Sequence, residues 1–138
     1  SWYERKGVLQ EEDILLVALN CALSVGHVYK TASLVHGGLE ASDVEVCQDG
    51  MIKVRYLGRL NLFRKRIDFR TDIIALGRIM KELLTPMENF ETKVADPVVK
   101  DATYRLIEKM RSDVDSFPYR SWDEVIRDIE LVQVGRSF

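Results

Sequence analysis

The residues best placed to do chemistry lie together in Ser33-Leu34-Val35-His36-Gly37-Gly38-Leu39-Glu40-Ala41-Ser42-Asp43-Val44-Glu45-Val46. An apolar pair, Leu34-Val35, delivers His36 into a Gly-Gly turn, and a strand-like alternation begins at Val44. Imidazole titrates nearer neutrality than any other unperturbed side chain, and Ser33 and Ser42 stand close to His36 in sequence. A serine nucleophile needs a base and an orienting group fixed in space, and no motif here supplies them. His36 reads as a structural histidine in a loop between two strands.

Metal chemistry is poorly served. Cys21 and Cys47 sit inside apolar runs on different elements, as do His27 and His36, so a structural zinc site is not expected. Two buried, reduced thiols suit a cytoplasmic or nuclear setting. The other chemically distinctive stretch is residues 59–70, where Arg59, Arg64, Lys65, Arg66 and Arg70 outnumber Asp68 and alternate with Leu60, Leu62, Phe63, Ile67 and Phe69. It reads either as a solvated face over an anchored loop or as a patch for an acidic peptide, a phosphate or nucleic acid. A net charge of −2 argues against wholesale coating of nucleic acid.

The elements that must position these residues follow from periodicity. With 138 residues, 46% hydrophobic and 30% charged, the chain is expected to be one folded domain over residues 1–138. Glu11, Glu12 and Asp13 precede apolar residues at helical spacing, from Ile14 through Val25, which predicts a largely buried helix over residues 11–29. Val44, Val46, Ile52 and Val54 alternate with Glu45, Lys53 and Arg55 around Asp49-Gly50, a hairpin signal. Thr71 or Asp72 is expected to cap a helix that is apolar around most of its circumference and ends at Pro86. Val99, Ala102, Thr103, Leu106, Ile107 and Met110 predict a further amphipathic helix of about 14 residues. Ser121 with Glu124 forms a capping box for the last one, whose stripe is Trp122, Val125, Ile126, Ile129 and Val132. The expected fold is α+β and mainly α-helical, with about four to five helices and a small β-hairpin. No uninterrupted apolar run approaches the ~18 residues that mark a membrane span, and none is expected.

Several of these segments together carry a resemblance. His36-Gly37-Gly38-Leu39 with Asp43 resembles the protein kinase catalytic loop H-R-D-L-x-x-x-N, and Asp72 to Leu83 resembles the kinase core helix D-x-x-x-L-G-x-x-x-x-E-L. Leu9-Gln10-Glu11-Glu12 is similar to the opening of KIND domains, non-catalytic modules derived from a kinase C-lobe. By this resemblance Gly38 stands where the catalytic aspartate would be, Asp43 replaces the metal-binding asparagine, and Tyr56-Leu57-Gly58 takes the place of D-F-G. Asp43 alone is a poor magnesium site. No Gly-rich phosphate loop or V-A-I-K lysine is found, and the residues before His36 are mostly spent on one helix, so no N-lobe is expected.

The resemblance implies a kinase C-lobe-like bundle without phosphotransferase activity and without a cofactor. It also implies that His36 bonds core backbone and that Asp72 braces the His36 loop. Arg120 must find a carboxylate other than the absent A-P-E glutamate, or face solvent. The function expected is a scaffold that binds a peptide or helix of another protein, with Tyr56, Leu57, Arg59, Arg64, Lys65, Arg66 and Arg70 as candidate contacts. The alternatives are nucleic-acid, phosphate or headgroup binding through residues 59–70, which is less favoured, and a structural or self-associating domain of a larger assembly.

Overall fold

The computed structural model describes residues 11–47, 51–55, 68–89 and 97–136. Among them the fold is mainly α-helical with a small antiparallel sheet. Helix α1 (Glu11–Ala32) places Glu11, Glu12 and Asp13 in its first turn and Lys30 in its last, the arrangement the helix dipole favours. It continues one turn past the expected end at Tyr29. It stops where Ser33 adopts a left-handed φ of 53° and turns its N–H back to the Tyr29 carbonyl at 2.9 Å.

A single 3-10 turn (Ala41–Asp43) feeds strand β1 (Val44–Val46), which pairs with β2 (Ile52–Val54) in the register Val44 to Val54 and Glu45 to Lys53. Val44, Ile52 and Val54 pack toward the core while Glu45 and Lys53 face out, as the alternation requires. The turn expected at residues 48–50 lies outside the described residues.

Helix α2 (Phe69–Asn89) departs from expectation at both ends. Asp68, not Thr71 or Asp72, precedes its first residue and accepts the Arg70 N–H on Oδ1 at 2.8 Å. That leaves the Asp72 carboxylate free for other partners. Pro86 lies inside the helix rather than at its end. Proline has a helical φ, and so near the C-terminus it removes only one bond of a ladder that is about to finish. Nor is α2 apolar all round. Ile73, Leu76, Ile79, Met80 and Leu84 form its buried stripe, whereas Arg78, Lys81 and Glu82 are exposed.

Helix α3 (Pro97–Met110) has the expected length of 14 residues and opens on proline at its first position, where a missing N–H costs nothing. A second 3-10 turn (Val114–Ser116) leads to α4 (Trp122–Gln133), whose cap is Ser121. The reciprocal bond of the expected capping box is displaced by one residue, since Glu124 Oε1 accepts the N–H of Arg120 at 2.6 Å.

Packing is close. α1 lies against α2, α4 and β2, and α3 against α2 and α4. Where α1 meets α4, a Cβ on Gly26 would stand 3.0 Å from the Cβ of buried Trp122. A polar staple joins α3 and α4: Tyr119 Oη and Lys109 Nζ both donate to Asp128 Oδ2, at 2.7 and 2.8 Å. Lys109 also lies 4.8 Å above the Tyr119 ring. Burial and Asp128 push the Tyr119 phenol well above its ordinary pKa. Among the described residues one helix, α1, is long and apolar enough to cross a membrane by length and composition. The expectation of no span rested on uninterrupted runs, which Asn20, Ser24 and His27 break here without charge. Its buried face, Ile14 through Val25, is part of the core of this bundle.

Candidate functional site

The loop from Leu34 to Glu40, expected between two strands, instead leaves the end of helix α1 and enters the 3-10 turn before β1, and it hangs on one carboxylate. Asp72 Oδ2 accepts the N–H of His36 at 2.7 Å and Oδ1 accepts the N–H of Gly37 at 2.9 Å. Two successive amides can converge on one group because the chain turns at Gly37, whose φ of 81° suits glycine. Asp72 is 1% exposed, and burial raises its pKa above the ordinary carboxylate value while the two N–H bonds pull it back.

His36 is 1% exposed, and its Nε2 lies 2.6 Å from the carbonyl oxygen of Arg55, so the ring ties the loop to the end of β2. Asp43 is fully buried. Its Oδ2 accepts the Glu40 N–H at 3.0 Å and stands 3.8 Å from His36 Nε2, while its carbonyl accepts the Arg55 N–H at 2.7 Å. The carboxylate is thus part of the loop's own framework and does not face a ligand. Among the described residues no cluster of three histidines, cysteines or carboxylates could hold a metal ion.

Above this framework lies an open groove of about 410 Å³, lined on one side by Gly37, Gly38, Leu39 and Glu40 and on the other by Thr71, Ile74, Ala75 and Arg78. The α2 contributors recur at the spacing of one helix face, beside the core stripe. Leu39, Ile74 and Ala75 give the groove apolar surface, and Glu40 and Arg78 give it a charge of each sign. With glycine at position 38, no side chain projects from the loop's centre into it.

The sequence candidates divide accordingly. His36, Gly38, Asp43 and Asp72 are brought together around the loop. Arg70 instead lies against Asp68 at the start of α2, with Nη2 and Oδ2 2.6 Å apart, and this pairing holds the Asp68 carboxyl below its ordinary pKa. Arg120 is exposed at the start of α4, with its backbone N–H on Glu124. Tyr56, Leu57, Arg59, Arg64, Lys65 and Arg66 lie outside the described residues. The sequence reading missed Leu39, Glu40, Thr71, Ile74, Ala75 and Arg78. Their signal was the helical recurrence of Thr71, Ile74, Ala75 and Arg78, a small and half-apolar stripe on a helix whose core stripe lies elsewhere.

The chain matches no protein-family model. It is similar to U-box domain-containing protein 57 of Oryza sativa subsp. japonica, 28% identical over 144 residues, which covers 86% of this chain and 26% of the rice protein. The chain therefore spans about a quarter of the length of the curated relative it matches.

Proposed function

We propose that the chain is a non-catalytic module, derived from a kinase C-lobe and KIND-like, that binds a peptide or helix of another protein in the groove between the His36 loop and α2. The observation that carries this reading is the loop itself. Its frame is held by Asp72, yet Gly38 offers no side chain where phosphoryl transfer needs a carboxylate, and the space beside it is an open groove with apolar and charged walls. A groove of this kind suits an apolar anchor side chain flanked by polar contacts. The partial coverage of the rice relative is in keeping with one module among several in a longer protein. Arg70 is engaged by Asp68, and no observation among the described residues favours the nucleic-acid alternative.

Partner capture with three baits tests the surface: the wild-type chain, an Ala75→Glu/Arg78→Glu variant, and a variant with Arg64, Lys65 and Arg66 all changed to Glu. A protein retained by the wild type and by the triple variant but lost from the groove variant is the expected result. Loss from the triple variant alone would move the site to residues 59–70. Incubation with labelled ATP and magnesium should label neither the chain nor an added substrate, and Gly38→Asp should not restore labelling. Labelling at a useful rate would end the non-catalytic reading.

A further inference from the structure

Helix α1 has a second face that the other described elements of the bundle leave open. Its inward side carries Ile14, Leu15, Ala18, Cys21, Ala22 and Val25, all buried. Its outward side carries Glu12, Leu16, Leu19, Asn20, Leu23 and His27, which share one stripe at three- and four-residue spacing. Leu16 is 43% and Leu23 is 47% exposed, Leu19 and Asn20 are half-buried, and Glu12 and His27 are exposed. Single exposed leucines need no explanation, but two of them two turns apart on one stripe, with no charge between them, form a seam.

The order of residues along that seam indicates what fits it. About the midpoint between Leu19 and Asn20, Leu16 mirrors Leu23 and Glu12 mirrors His27. A second α1 laid antiparallel across a two-fold axis would therefore set Leu16 of each copy on Leu23 of the other. The acid of each copy would meet the imidazole of the other at both ends. A two-fold interface must be self-complementary in just this way, and antiparallel helices also oppose their dipoles favourably. We propose that two copies of this chain associate through the outward face of α1, with Leu16 and Leu23 as the apolar contacts and Glu12 and His27 as the pairs that fix the antiparallel direction. This surface is separate from the groove and does not depend on the groove reading. A seam on one helix is smaller than a standard interface, so the dimer is a dissociable one.

Sedimentation velocity across a concentration series reads the association directly. The wild type should pass from monomer to dimer, and Leu16→Glu or Leu23→Glu should weaken the dimer at least tenfold with thermal unfolding little changed, because both side chains are already half in solvent. His27→Glu faces like charges and should weaken the dimer several-fold, and the double variant Glu12→Lys/His27→Glu should restore it. A chain that stays monomeric throughout would overturn the proposal, including one that binds phosphatidylcholine vesicles instead. So would a dimer indifferent to both leucine changes, or a double variant no tighter than His27→Glu alone.

Discussion

Asp72, itself 1% exposed, accepts from the buried N–H of His36 and the partly buried N–H of Gly37, so replacing it with alanine takes the acceptor from both. Each such loss costs about 1–3 kcal/mol, and urea unfolding of Asp72→Ala should show a destabilisation of about 3 kcal/mol. The pH dependence has a definite sign. Because the folded carboxyl has a raised pKa, the native state holds its proton more tightly than the unfolded chain. Stability from this group is greatest in acid and declines as pH rises from about 4 toward the raised value. The advantage of the wild type over Asp72→Asn should shrink over that range. Asp68 runs the other way: its lowered pKa gives a contribution present above about 4 and lost below, and it is small because the pair is partly exposed. The two cysteines should also separate. Burial pushes the Cys21 thiol up to about 12, so a thiol reagent should modify the half-buried Cys47 in the native protein and Cys21 only on unfolding. The bracing role of Asp72 was legible in the sequence because motif spacing singles it out. The cap at Asp68 was not, since Asp68, Thr71 and Asp72 are all residue types that cap helices and only tertiary contact decides among them.

At the scale of elements, helix ends and crossings carry the sharper tests. Alanine is the better helix former, yet Gly26→Ala should destabilise by about 1–2 kcal/mol, because its Cβ would press on the Cβ and Cγ of Trp122, a side chain 1% exposed with little room to move. Ser33→Gly should stabilise by about 0.5–1 kcal/mol, since Ser33 pays for a left-handed backbone that glycine adopts freely. Tyr119→Phe removes one donor to Asp128 and should cost about 1 kcal/mol, less than Asp128→Ala, which takes the acceptor from the buried Tyr119 hydroxyl and the ion pair from Lys109. Thermal or urea melts check all three. Periodicity made each helix legible, α3 even to its length. The C-terminal ends of α1 and α2 were not, because a serine can take the left-handed geometry usually given to glycine, and a proline in a last turn removes too little to stop a helix.

For the molecule as a whole, the sequence made the mainly helical bundle and its hairpin legible, since amphipathic stripes specify which sides must meet. It did not show the groove, because Leu39 and Glu40 meet Thr71, Ile74, Ala75 and Arg78 only after the loop has folded back on α2. The two outward surfaces make independent demands. Groove substitutions should alter partner capture without altering sedimentation, and changes at Leu16 or Leu23 should do the reverse. The anchoring of the loop to α2 has a consequence in time as well as in space. The amides of His36 and Gly37 are tied to a carboxylate rooted in the core helix, so freeing them requires the loop to part from α2. Their hydrogens should exchange with deuterium as slowly as those of Leu76 and Met80, and in Asp72→Ala they should exchange early, while the rest of α2 remains protected.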